Sequence, residues 1–324
     1  MLLKTQQSFV DIVPELNDVE EYIEEMFNSH MGSMSFARSL YLGEKGKKLR
    51  PALFLTGARM HMKDLQPVIP IAVSMELIHT ATLVHDDVID NARRRRNRDT
   101  INISWGEKMA VLLGDYLFAR AFTLLTSYAG MEIIDLMANV VEEISVGEIQ
   151  QQIEAFNADL SEEEYLEKIK QKTAIFIASC CLAGCLTAEA PTGLKSACYN
   201  YGLNLGMAFQ IIDDTLDFNG SKKTTGKDSC SDIRNGIITL PLIHTLRYSS
   251  RKDDIYSAIK GRGLDESVIN FIVDEVRAAG GLDYSVGVAE SYIDKAISYL
   301  EDVSSQNVAR DFSVISQLVL QRAF

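Results

Sequence analysis

Apolar residues recur at three- and four-residue spacing along almost the entire chain, and runs of strict alternation are few. That period gathers apolar side chains on one face of a helix. It predicts helices near residues 8–30, 48–61, 67–92, 106–129, 131–157, 161–188, 193–219, 236–248, 265–279 and 283–302, with ends defined to about 2–4 residues. Only six prolines interrupt the pattern. Ser161 and Glu164 form a capping box, in which each side chain meets a backbone donor of the other residue. Gly280 and Gly281 stop one helix, and Asp283 is placed to cap the next. The longest weakly polar run, Ala174 to Ala188, falls short of the ~20 residues that cross a bilayer, so it reads as a buried core helix. No Pro- or Ser-rich linker divides the sequence. The expectation is an all-α protein with a single domain over residues 1–324.

Composition narrows the partners. The 324 residues are 47% apolar, enough for a large core, and carry a formal charge of −13 from 45 acidic and 32 basic side chains. So acidic a chain is a poor general binder of nucleic acid or anionic membrane, both of which need Lys and Arg. The five cysteines, Cys180, Cys181, Cys185, Cys198 and Cys230, are odd in number and form no C-x-x-C pair. That usage suits a reducing compartment. The N-terminal MLLKTQQSFVDIVPEL has no apolar signal core. These features predict a cytoplasmic protein, with no nucleic-acid partner and no stable membrane insertion.

One pattern occurs twice: VHDDVIDN (Val84–Asn91) and IIDDTLDF (Ile211–Phe218) share the acid spacing DDxxD within apolar helices. Residues i and i+4 share a helix face, so Asp86 points with Asp90 and Asp213 with Asp217, while Asp87 and Asp214 are adjacent. A single such cluster reads best as a solvated surface. Two in apolar surroundings need a compensating cation, because clustered carboxylates raise one another's pKa. Oxygen-only ligands suit Mg²⁺, which keeps waters and shares phosphate oxygens with a few carboxylates. Basic residues complete an anion site. Lys47 and Arg50 lie one turn apart at a helix start, and Arg93 to Arg96 with Arg98 follow the first acid cluster. Lys172 and Thr173 open the Cys-rich apolar helix, and Gln210 precedes the second cluster by one turn.

The ordered series GKKLRP, ELIHTATLVHDDVIDN, RRNRDTIN, GDYLFARA, VGEIQQ, KTAIFIA, GMAFQIIDDTLDF and GKDSCSDIRNGIITLP resembles the trans-isoprenyl (polyprenyl) diphosphate synthases over nearly the entire chain. It is closest in look to long-chain members such as heptaprenyl-type catalytic subunits. The resemblance implies a bundle of long helices around a central cavity. It also implies a dimer, either of identical chains or of a catalytic chain with an unlike partner. Asp86, Asp90 and Asp213 are then the Mg²⁺ ligands on an allylic diphosphate, supported by Asp87, Asp214 and Asp217. Arg95, Lys172, Gln210 and Lys227 are its further contacts. Lys47, Arg50, His79 and Arg96 belong to the isopentenyl diphosphate site, and Thr173 sets a hydroxyl dipole near the developing cation. His85 stays structural.

Two departures stand out: Lys45 where relatives commonly have Gly, and Ile237 where many have Lys. Aromatic residues one turn before the first motif block product growth in this family. Here Ala81 and Thr82 are small, which implies a long product limited deeper down by Ile78 or Met75. A class I terpene cyclase would ionise the same kind of substrate, but the intact DDTLD opposes it. A regulatory subunit would have lost several site residues, and a bland helical scaffold leaves the ordered motifs unexplained.

Overall fold

The structure, a computed structural model, describes residues 8–30, 48–95, 98–219, 230–301, 303 and 306–321. Its helices form where the three-to-four period is strongest. They are α1 (Phe9–Ile12), α2 (Leu16–His30), α3 (Leu49–Ala58), α4 (Ile69–Ile89), α5 (Ile101–Trp105), α6 (Glu107–Tyr128), α7 (Met131–Ile153) and α8 (Glu162–Ile169). After a π turn at Lys170–Ala174 come α9 (Ile175–Thr187), α10 (Thr192–Asn219), α11 (Ser231–Arg234), α12 (Leu240–Tyr248), α13 (Lys252–Lys260), α14 (Glu266–Ala278), α15 (Gly281–Ser298) and α16 (Gln306–Leu320). The one sheet among the described residues is a hairpin, β1 (Arg94–Arg95) against β2 (Arg98–Asp99), with Arg94 opposite Asp99 and Arg95 opposite Arg98.

Apolar character all round a helix puts it in the middle of a fold. α4 obeys this: every residue from Ile69 to Ile78 is buried. It packs along α6, while α9 lies between α3 and α10, and α10 in turn carries α15. The α3–α9 contact depends on Gly184, where a Cβ would sit 2.1 Å from the Phe54 carbonyl oxygen. Arg59 ties the chain ends together. Its guanidinium donates to the Ile12 carbonyl (3.0 Å), to Glu15 (2.6 Å) and to Asp311 on α16 (3.2 Å).

Several elements differ from the sequence reading. The helix expected over 8–30 breaks into α1 and α2 around Pro14, which has no N–H to donate and restrains the residue before it. The helix expected over 161–188 is interrupted by the π turn. α7 ends at Ile153 and α12 begins only at Leu240, after Gly236 at φ +72°. The Ser161–Glu164 capping box is present, with Ser161 N–H donating to Glu164 (2.8 Å) and Glu164 N–H to Ser161 (3.2 Å). Asp283, in contrast, lies inside the first turn of α15, which is capped by Gly280 at φ +73°. Helices α5, α11, α13 and α16 and the hairpin were not expected.

The reading of chain length against the bilayer also changes. Three helical stretches, Gln66–Ile89, Glu107–Tyr128 and Glu162–Thr187, are long and apolar enough to cross a membrane by length and composition. The first and third are mostly buried inside the bundle, as core helices are. α6 is only 39% buried over its apolar window and exposes Val111, Leu112 and Tyr128.

Candidate active site

α4 ends at the first acid motif. Asp86 and Asp87 occupy its last turn, and Asp90, at its C-cap, donates its N–H to the Asp86 carbonyl (2.8 Å). The two neighbouring aspartates turn different ways. Asp87 is buried, and its carboxylate accepts a 2.8 Å charge-assisted bond from Arg95 Nε on β1. Asn102 on α5 donates to the Asp87 and Ala92 carbonyls, fixing the chain that leaves the motif. Asp86 faces another set of charges. Burial pushes its carboxyl up to about 7; the Lys172 cation opposes the shift, Glu148 adds to it, Arg95 opposes it and Asp90 adds to it.

Lys172 and Thr173 sit within the π turn, an irregularity that recurs at functional sites. Lys172 forms an ion pair with Glu148 on α7 and lies 3.4 Å from Gln151 Oε1. Burial works against the lysine charge. Glu148, Asp86 and Asp90 outweigh it and hold the ammonium above its ordinary range. α10 backs this turn at Gly206, where a Cβ would lie 2.5 Å from Ala174 Cα.

The second motif lies on α10, and two of its carboxylates, Asp214 and Asp217, do different work. Asp214 is buried and accepts from Tyr165 Oη (2.7 Å) at one oxygen and from Gln210 Nε2 (2.7 Å) at the other. Gln210 Oε1 accepts in turn from Thr173 Oγ1 (2.7 Å). Burial pushes the Asp214 carboxyl up to about 6, against the two hydrogen bonds that favour its anion; Asp213 adds to the rise and Lys172 opposes it. Asp217 accepts from the backbone N–H groups of Ser231 (3.2 Å) and Asp232 (3.0 Å), so it fastens α11 to α10. Lys172 therefore acts electrostatically on both motifs, on Asp86 in one and on Asp214 in the other.

Arg50, in the first turn of α3, is 8% exposed and stands 4.9 Å from the Phe176 ring centroid. Burial lowers its pKa, while Cys180, Glu76 and Asp213 hold its charge up. Its Nε has no hydrogen-bond partner among the described residues, and a buried donor in that state calls for an anion. His79 is half-buried one turn along α4 from Glu76. Further along the same helix Thr82 donates back to the His79 carbonyl (2.8 Å), and Ala81, Ile78 and Met75 are fully buried in the apolar core. His85 contacts the Val111 carbonyl through Nε2 (3.1 Å) and lies against Phe118, a packing position. Lys47, Arg96 and Lys227 lie outside the described residues.

Four residues here were not singled out in the sequence: Glu76, Glu148, Gln151 and Tyr165. Tyr165 carried one signal, a hydroxyl at an apolar-face position, which needs a buried partner. Among the described residues no group of three or more His, Cys, Asp or Glu side chains is arranged to hold a metal ion by itself. Asp86 and Asp90 act together on the Lys172 charge, and Asp213 acts on Arg50. A cleft of about 580 Å³ between α8 and α15, lined by Glu162, Leu166, Tyr284, Tyr292 and Lys295, contains none of these residues.

This bundle of apolar helices has known counterparts. Residues 35–276 match the family model described as Polyprenyl synthetase. The chain is 34% identical over 317 residues to heptaprenyl diphosphate synthase component 2 of Geobacillus stearothermophilus, covering 97% of this chain and 98% of that one. It is 34% identical over 294 residues to octaprenyl diphosphate synthase of Escherichia coli, covering 89% of each. Among solved structures, a polyprenyl synthase from Caulobacter crescentus, complexed with calcium and isoprenyl diphosphate, superposes with a TM-score of 0.92 at 31% identity over 98% of this chain and 97% of that one. Heptaprenyl diphosphate synthase of Staphylococcus aureus gives 0.89 at 28% identity, covering 97% and 99%. The chain belongs to the polyprenyl synthetase family, transferases of isoprenoid biosynthesis with an all-α fold.

Proposed function

We propose that this chain condenses isopentenyl diphosphate with an allylic diphosphate such as farnesyl diphosphate, giving a longer, all-trans polyprenyl diphosphate, and does so with Mg²⁺ as one catalytic unit in the cytoplasm. The observation that carries this reading is the π turn, where Lys172 pairs with Glu148 and acts on Asp86 of the first motif while Thr173 beside it is linked through Gln210 to Asp214 of the second. The relatives named heptaprenyl and octaprenyl diphosphate synthase favour a long product.

The residues fit a divalent cation. Asp86 is held near neutrality by burial and by Glu148 and Asp90, and a hard dication beside it would restore its anion. The donors are all carboxylate oxygens, as Mg²⁺ prefers. Asp86, Asp90 and Asp213 would hold it together with diphosphate oxygens, where it supplies Lewis-acid neutralisation of the leaving group.

The protein's own groups do the rest. Lys172 and Arg95 bring cationic donors to the allylic diphosphate, which gains negative charge as its C–O bond breaks and the electron pair leaves with it. Arg50, buried with an Nε that has no hydrogen-bond partner among the described residues, suits the second diphosphate, and His79 is assigned to the same substrate. The isopentenyl double bond then attacks the allylic cation, and the proton lost in forming the new double bond goes to the released diphosphate. The apolar wall of α4, with Ala81, Ile78 and Met75, keeps water from the cation.

A second reading has an observation in its favour: two of the relatives are named component 2 of heptaprenyl diphosphate synthase. The catalytic chain would then need an unlike partner. The test is an assay of the purified chain with labelled isopentenyl diphosphate, farnesyl diphosphate and Mg²⁺, with products resolved by length. Long all-trans products abolished by EDTA are expected. A folded chain that stays inactive with every starter, yet becomes active on adding a second component, would transfer the reading to the heteromer.

A further inference from the structure

Tyr165 and Thr173 are eight residues apart. In an uninterrupted α-helix that spacing turns two side chains about 80° away from each other. The π turn at Lys170–Ala174 absorbs one residue, so both side chains face α10. There they meet a pair at i and i+4, Gln210 and Asp214. The result is a chain of three 2.7 Å hydrogen bonds, all polarised toward Asp214: Thr173 donates to Gln210, Gln210 to Asp214, and Tyr165 to Asp214 from the other side.

An ionised carboxylate accepts and cannot donate. With both oxygens of Asp214 taken, the Gln210 amide must present its NH₂ to Asp214 and its carbonyl to Thr173. Thr173 must then spend its proton on Gln210. Its oxygen lone pairs, the negative end of the hydroxyl dipole, are what it has left for the substrate.

We propose that Tyr165 and Asp214 are positioning residues which, through the Gln210 amide, lock the Thr173 hydroxyl with its lone pairs toward the allylic group, so that it stabilises the forming cation. This rests on the prenyltransferase reading above. It gives Asp214 a task distinct from metal binding, and it uses Tyr165, which is 1% exposed and would otherwise be only a core residue. Asp214→Asn should reverse the relay without changing shape. Tyr165 still donates to the carbonyl oxygen of the new amide, so its NH₂ faces Gln210. Gln210 must then flip, its NH₂ donates to Thr173, and the Thr173 proton swings toward the cation.

The experiment is steady-state kinetics of the full chain with isopentenyl diphosphate, farnesyl diphosphate and Mg²⁺, with circular dichroism as the check on folding. Asp214→Asn is expected to lower kcat by about a hundredfold, the scale on which misplacing a reacting group costs rate. KM for farnesyl diphosphate and the Mg²⁺ requirement should hardly move. Tyr165→Phe, which removes one donor without inverting the amide, should lose less. In a Thr173→Val background neither substitution should cost anything further, whereas in Thr173→Ser both should keep their effect. Losses that multiply in the Thr173→Val background would overturn the proposal, as would a raised Mg²⁺ requirement at unchanged kcat. Wild-type chain that turns over no allylic diphosphate would overturn the prenyltransferase reading, and the proposal with it; turnover with multiplying losses overturns the proposal alone.

Discussion

Asp86 and Asp214 keep their protons to unusually high pH, about 7 and about 6, because burial disfavours their anions. In the unfolded chain both would ionise near pH 3.9. Between about pH 4 and about pH 7 the folded, metal-free protein therefore binds protons that the unfolded chain has lost, and stability contributed by these groups falls as pH rises. Thermal melts of the EDTA-treated protein should show a lower midpoint at about pH 8 than at about pH 5, and Asp86→Asn should reduce that difference. Mg²⁺ added with inorganic diphosphate should raise the midpoint most at the higher pH, where it no longer competes with a proton for Asp86. An equal rise at both pH values would remove Asp86 from the metal site.

Among the helices, the π turn depends on its neighbour. A Cβ at Gly206 would press within 2.5 Å of Ala174 Cα, a backbone atom that cannot swing aside. Gly206→Ala should cost about 1–3 kcal/mol in urea unfolding, the usual cost of overpacking. It should lower kcat as well, since the displaced segment carries Lys172 and Thr173. How far these elements could be read in advance follows from their physics. The DDxxD acids were legible because local spacing carries them, whereas Lys172, Thr173 and Gln210 were marked only by the family resemblance, each meaning little alone. The roles of Glu148, Gln151 and Tyr165 were not legible, because each comes from a partner on a different helix, and the one-residue slip of the π turn was hidden because α9, which follows it, is apolar nearly all round. α13 buries only Ile255 and Ile259, too few to establish a period. α16 did carry the pattern, with Val308, Phe312, Ile315 and Val319 on one face; its polar opening QNVARD obscured it.

The assembled bundle sets two further expectations. Ala81 is fully buried on α4, one turn before Asp86. Ala81→Phe should shorten the product while leaving the first condensation intact, at a stability cost of about 1–3 kcal/mol for the added volume. Chromatography of the dephosphorylated products by chain length measures it. An unchanged distribution would mean the growing chain does not pass this residue. On the outside, α6 exposes Val111 and Leu112, and α7 exposes Met131, Ile149 and Ile153, the last at 73%. So much exposed apolar surface on two neighbouring helices fits an association face for a second copy or an unlike subunit. Leu112→Asp should shift the sedimentation velocity profile toward monomer, and a protein already monomeric before the change would refute this face.

The π turn also has a consequence for how this segment tolerates insertions and deletions. A bulge of this kind behaves as one surplus letter in a helical text whose downstream phase is already correct. Removing Gln171 would close the segment into an ordinary α-helix and leave Tyr165 and Thr173 seven residues apart, two turns along one face. α9 would keep its orientation toward α3 and α10. The deletion would spare the fold's register and take away only the widened turn from which Lys172 pairs with Glu148 and acts on Asp86 and Asp214, and the expected result is a protein that folds as before and has lost its chemistry.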